Sequence, residues 1–100
     1  MANALSELIG FTVTKVESIH DYLQITFSDG SIMNVYNKYS YDGNVSDLEN
    51  KTLISFSEHS DGVELRFLGS QFEIGLRDDD YSGPEAIALR RPGKEPVIWN

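Results

Sequence analysis

Strict alternation of apolar and polar residues sets the fold class of this chain. Val63, Leu65 and Phe67 alternate with polar residues in "VELRF", and "YLQITF" (22–27) has the same pattern. A period of two puts the apolar side chains on one face of a β-strand. Short turn sequences such as "SDGS" and "HSDG" separate these stretches and are typical of antiparallel hairpins. The pattern therefore predicts a mainly β protein.

The alternating stretches fall into two groups of strands. The predicted strands, about eight in all, are residues 11–18, 22–27, 32–37, 52–58, 63–67, 72–76, 86–91 and 96–99. Asp29-Gly30 in the first hairpin predicts a type I′ turn. Residues 3–10 (NALSELIG) predict a helix of about two turns. We expect antiparallel meanders that form a sandwich or a partly open barrel, with a short N-terminal helix, in a single domain spanning residues 1–100.

Residues 38–50 interrupt the strand pattern. Ser, Asn, Asp and Gly are frequent in this stretch. It predicts a loop with one helical turn near residues 46–50.

The two strand groups resemble each other when the chain is shifted by forty residues. Leu53 then falls on Val13, and Phe67 falls on Phe27. Such a match predicts an internal repeat, although two unrelated meanders with short turns also produce some matches of this kind. Both interpretations stay open at this point.

The charge balance indicates which partners the chain attracts. Sixteen acidic residues against eight basic ones give a formal net charge of −8, and residues 17–49 contain a single base, Lys38. A field of this sign repels phosphate backbones and attracts basic surfaces. The alternative is that the acidity serves only solubility. We therefore expect no nucleic-acid partner.

Composition also excludes several classes of chemistry and location. The chain has no cysteine, which excludes disulfides, thiolate-bound zinc and a thiol nucleophile. Its first residues, "MANALSELIG", do not have the basic and apolar regions of a signal peptide. No apolar stretch approaches the length of a membrane span. We expect a cytoplasmic protein without a membrane partner.

Three adjacent aspartates, Asp78 to Asp80, invite a comparison with calcium sites. Residues 78–83 follow the order of the first half of an EF-hand loop. The twelfth position of such a loop requires a glutamate, and Leu89 stands there instead. We therefore predict no metal site and no cofactor.

No constellation of residues in the sequence indicates catalysis. The only histidines, His20 and His59, lie in predicted turns, and an acidic protein repels the RNA that a histidine pair would cleave. The bases Arg90, Arg91 and Lys94 are expected in a solvated hairpin that pairs with the nearby aspartates. We predict that the protein is not an enzyme.

Two segments combine tyrosine with carboxylates, a composition that suits binding to a basic protein. Tyrosine offers a large contact area at low entropic cost, and carboxylates pair with lysine or arginine across an interface. The alternative is that the tyrosines cover the ends of the sheet. The first patch is Asp78, Asp79, Asp80, Tyr81 and Glu85. The second patch is Tyr39, Tyr41, Asp42, Asp47 and Glu49.

The last 23 residues, "DDDYSGPEAIALRRPGKEPVIWN", contain "GPEA", an "RRPG" turn and a closing "VIWN". Together with the size, acidity and β-rich pattern of the chain, this tail resembles immunity proteins of bacterial contact-dependent growth inhibition, a polymorphic toxin system. The resemblance implies a toxin inhibitor without a reaction of its own. It implies binding in the cytoplasm to the C-terminal toxin domain of the same strain, often a nuclease.

We therefore expect an immunity protein that binds a basic toxin domain through an acidic surface. We expect this protein to be a monomer or a weak homo-oligomer. The alternative is a non-catalytic structural or regulatory β-module, whose C-terminal strand in "PVIWN" pairs with a second copy.

Overall fold

The computed structural model describes residues 4–100, which form nine β-strands and three short 3₁₀ helices. The strands are β1 (Val13–Ile19), β2 (Tyr22–Phe27), β3 (Ile32–Val35), β4 (Tyr39–Tyr41), β5 (Leu53–His59), β6 (Gly62–Phe67), β7 (Ser70–Gly75), β8 (Ile87–Arg90) and β9 (Val97–Trp99). The helices are η1 (Ala4–Leu8), η2 (Val45–Leu48) and η3 (Asp78–Asp80).

The strands form two antiparallel sheets. Sheet A has the order β1-β2-β3-β8-β9, and sheet B has the order β4-β7-β6-β5. Apolar side chains from both sheets meet in one continuous core that includes Phe27, Leu65 and Phe72. The predicted mainly β, sandwich-like fold is confirmed.

The first three strands of each group form equivalent meanders. Val13 pairs with Phe27 in the first, and Leu53 pairs with Phe67 in the second. Both ladders then shift register at the following residue, so that each of β1 and β5 has an irregularity at the same place. The shift of forty residues therefore relates two copies of one structural unit, which decides between the two interpretations that the sequence left open.

The two units meet around an approximate two-fold axis between Thr12 and Thr52. These residues form an isolated antiparallel bridge, and their hydroxyl oxygens lie 3.0 Å apart. The backbone bonds on either side match: Gly10 N donates to Leu53 O over 2.9 Å, and Asn50 N donates to Val13 O over 2.7 Å. Gly10 and Asn50 both have positive φ, which is why residues suited to that region occupy these two positions.

Each unit donates a strand to the sheet of the other. After β3, the chain leaves sheet A, and β4 pairs with β7 in sheet B. After β7, the chain leaves sheet B, and β8 pairs with β3 in sheet A. Buried Asn37 lies at the first crossover, where its side-chain amide donates to Gly75 O over 2.7 Å. This exchange ties the two sheets together.

The structure corrects the interpretation of residues 38–50 as a loop. Tyr39–Tyr41 is a strand at the edge of sheet B, although the helical turn expected nearby is present as η2. Three residues are too few to show alternation, and the partner strand β7 is distant in the sequence.

Of two further local expectations, one is confirmed and one is wrong. The short N-terminal helix is present as η1, a 3₁₀ helix, and residue 3 of its predicted range lies outside the described residues. The turn at Asp29 is not type I′, because only Gly30 has a positive φ, of 93°. Gly30 N bonds to Phe27 O while Phe27 N bonds to Ser31 O, which is the geometry of a three-residue hairpin with a glycine bulge.

The C-terminal bases do not pair with the aspartate run. Arg91 and Lys94 both contact the carboxylate of Glu7, so the hairpin between β8 and β9 is joined to η1. The hydrogen bond from Lys94, helped by the charge of Arg91, holds the pKa of Glu7 below its ordinary value.

Candidate functional site

The edge strand β4 lies between two open clefts. One cleft, of about 440 Å³, has residues of β4, β6 and β7 in its walls and is called the β6–β7 cleft; it includes Lys38, Tyr39, His59, Asp61, Gly62, Glu64, Glu73, Gly75, Arg77 and Asp80. The other, of about 680 Å³, is called the η2 cleft; it is lined by Tyr41, Asp42, Ser46, Asp47, Glu49, Asn50, Lys51, Gly69, Ser70 and Gln71.

The η2 cleft contains four of the five residues of the second predicted patch. Tyr41, Asp42, Asp47 and Glu49 all line it, with Lys51 as the single basic residue among its lining residues. Asn44 fixes the start of η2, because its side-chain oxygen accepts a hydrogen bond from Ser46 N over 3.2 Å. This cap positions Asp47 in the first turn of η2, on the wall of the cleft.

Tyr39, the fifth residue of the second patch, lies at the other end of β4. It lines the β6–β7 cleft and is 41% exposed, with its ring centroid 5.2 Å from that of Phe72. Tyr41 is half-buried against the core. The two tyrosines therefore line different clefts, although both rings lie beside Phe72.

Glu49 has a structural role as well as a place in the η2 cleft. Its Oε2 accepts a hydrogen bond from Val16 N over 2.9 Å, just beyond the irregularity in β1. A carboxylate thus satisfies a backbone N–H of an edge strand. The cleft is tied by this bond to sheet A.

Replacing Glu49 with alanine is expected to lower the free energy of unfolding by about 1–3 kcal/mol, because Val16 N–H loses its partner. Asp47→Ala is the matched control: this side chain is exposed in the same cleft, and its loss is expected to change stability by less than about 0.5 kcal/mol. Urea unfolding of both variants checks the difference. Equal stability of the two variants would show that the Glu49 bond contributes nothing.

The residues of the first predicted patch differ in exposure and in role. Asp78 and Asp79 are exposed on η3, and Tyr81 is half-buried and packs against the core. Asp80 has a local role: its Oδ2 accepts from Arg77 N over 3.1 Å, and its carbonyl accepts from Lys38 N over 2.9 Å. Only Asp80 of this patch lines a cleft, and half-buried Glu85 lines neither.

The β6–β7 cleft mixes charges of both signs. Glu64 and Glu73 are cross-strand neighbours, an arrangement that is unfavourable for like charges. Each is stabilised by a neighbour on its own strand: Arg66 Nε donates to Glu64 over 2.9 Å, and Gln71 donates to Glu73 over 2.6 Å. This pair was not among the predicted site residues, although the predicted meander made β6 and β7 neighbours.

The two histidines occupy different positions relative to these clefts. His20 lies in the exposed turn between β1 and β2, whereas His59 ends β5 and lines the β6–β7 cleft. Within residues 4–100, no three His, Cys, Asp or Glu side chains are arranged to hold a metal ion. None of the described helices is long and apolar enough to cross a membrane.

Comparison with known proteins gives no assignment. The chain matches no protein-family model, no curated protein and no solved structure.

Proposed function

We propose that the protein is an immunity protein that binds a basic toxin domain, such as a nuclease, in the cytoplasm and neutralises it. The observation that carries the proposal is the composition of the η2 cleft, where Asp42, Asp47 and Glu49 share one surface with Tyr41. The resemblance of the C-terminal tail to immunity proteins supports the same conclusion.

The physics of nuclease inhibition favours an acidic inhibitor. A nuclease needs a positive groove to hold its polyanionic substrate. An inhibitor with a net charge of −8 is attracted to such a groove, and attraction of this kind raises association rates by one to three orders of magnitude at low salt. Tyrosine beside the carboxylates adds apolar contact area, which holds the complex once it has formed.

The test uses the tagged full chain and the polypeptide encoded next to it in the source strain. The expected result is that one basic polypeptide is retained at low and moderate salt, and that its nuclease activity is lost when the two proteins are mixed in equimolar amounts. A retained polypeptide that stays fully active, or no retained polypeptide, would contradict the proposal.

A second candidate function is a structural or regulatory β-module that self-associates. It is favoured by β9, which is the last strand of sheet A and has Ile98 46% exposed. Light scattering distinguishes the two candidates, since this function requires a stable homodimer and the immunity function does not.

A further inference from the structure

Two large apolar side chains lie exposed at one corner of sheet B. Ile54 is 49% exposed, and Leu68, in the turn between β6 and β7, is 75% exposed. Leu53 and Phe67 are a buried cross-strand pair, and Ile54 and Leu68 are the residues that follow them in the chain. Ile54 lies at the irregularity in β5, Leu68 lies in the turn after β6, and both side chains are exposed at this corner of sheet B. We call Ile54 and Leu68 the apolar ridge.

The internal repeat shows that the fold does not require apolar residues at these positions. The equivalent residues in the first unit are Thr14 and Ser28, which are also exposed. There, Thr14 Oγ1 donates to Thr26 O over 3.3 Å, and Ser28 Oγ accepts from Thr12 N over 3.1 Å. At this corner the first unit has two hydroxyl side chains, whereas the second unit has two large apolar side chains exposed to water.

The apolar ridge is continuous with the η2 cleft. Lys51, which lines the cleft, directs its ammonium group to Leu68 O at 3.5 Å. Gly69 and Ser70, the residues that follow Leu68, are themselves part of the cleft wall. The ridge therefore borders the acidic surface at Leu68, so a protein bound in the cleft lies within reach of the ridge.

Charge decides between a second copy and another protein as the occupant. A symmetric dimer through this surface would place the carboxylates of both copies, Asp42 and Asp47 among them, in one interface, and like charges in an interface are unfavourable. A basic partner meets the same carboxylates with opposite charge.

The geometry points to a composite docking surface for a basic polypeptide that carries an apolar side chain among its lysines or arginines. The cationic groups of the partner bind in the η2 cleft, and its apolar side chain covers the ridge of Ile54 and Leu68. The inference deepens the proposed function and rests on it for the identity of the partner. A few buried anchor side chains carry most of the binding energy of a typical interface.

Two synthetic peptides of equal length and charge test the surface directly, one alternating lysine with leucine and the other alternating lysine with serine. Amide spectra of the isotope-labelled full chain are recorded with each peptide. Both peptides are expected to shift the amide signals of Asp42 and Asp47. Only the lysine–leucine peptide is expected to shift the amide signals of Ile54 and Leu68 as well. Its affinity should be about tenfold higher, because it buries a leucine side chain.

The double variant Ile54→Thr plus Leu68→Ser is the matched variant, since it introduces the residues that the first unit already has. It should unfold at the same urea concentration as the wild type and bind both peptides equally. A double variant that still prefers the lysine–leucine peptide would overturn the inference. So would a wild type that binds the two peptides equally, or one that binds neither peptide. Dimerisation of the wild type that the double variant abolishes would also overturn it, in favour of a second copy. If the peptides behave as expected but no toxin is inhibited, only the immunity proposal fails.

Discussion

Replacing Asp42 and Asp47 together by lysine is expected to slow association with the basic partner by about 10- to 100-fold at low salt. Each substitution changes the charge by two, so the net charge falls in magnitude from −8 to −4. Both side chains are exposed, and the fold should therefore persist. Stopped-flow or biosensor kinetics at several salt concentrations measure the effect, and the salt dependence of the variant should be flatter than that of the wild type.

The matched control is Asp78→Lys plus Asp79→Lys, which makes the same change in net charge on exposed η3. If binding depends on the η2 cleft, this control slows association much less than the cleft variant. Equal slowing by both variants would show that only the overall charge matters. A larger effect of the control would favour the first predicted patch instead.

Replacing Phe67 with alanine is expected to lower the free energy of unfolding by about 3–5 kcal/mol, and Phe27→Ala should cost about as much. The two rings occupy equivalent places in the two units, paired with Leu53 and Val13, and both are almost completely buried. A loss of this size is a large share of the roughly 5–15 kcal/mol of a typical domain. Urea unfolding followed by circular dichroism measures both variants.

Phe11→Ala serves as the control, because Phe11 is 38% exposed and its removal should cost clearly less than either buried ring. If the alanine variants fail to fold, Phe27→Leu and Phe67→Leu allow the same comparison at a cost of about 1 kcal/mol each. A loss at only one of the two buried positions would contradict the equivalence of the two units in the core.

The hairpin strands could be predicted because their information is local. Strands β2 and β6 alternate strictly, and residues 28–30 supply turn residues between β2 and β3. The same pattern made a repeat one of two open interpretations, since positions such as Phe27 and Phe67, both buried in the structure, recur forty residues apart. Register then follows from the requirement that one face of each strand is buried.

The exchange of strands between the units could not be predicted from the sequence. Nothing near Tyr39–Tyr41 shows that this segment leaves sheet A and pairs with β7, because the bonds that hold it are made with residues far along the chain. Buried Asn37, which bonds Gly75 O at this crossover, is an ordinary polar residue in the sequence.

The candidate site was predicted only in part, for a related reason. Composition identified Asp42, Asp47 and Glu49 as a group, and η2 keeps them together. Composition gave no sign that Glu49 bonds to Val16 N, or that Asp80 bonds to Arg77 N. Carboxylates with such backbone partners are structural whether or not they also bind a protein.

Hydrogen–deuterium exchange of the full chain with and without the basic partner at low salt tests the central claim most directly. Binding in the η2 cleft predicts slower exchange at residues 41–51 and 68–71, with residues 78–85 and β9 unchanged. Protection confined to residues 78–85 or to β9, with the cleft exchanging as in the free protein, would contradict the assignment of the η2 cleft as the binding surface.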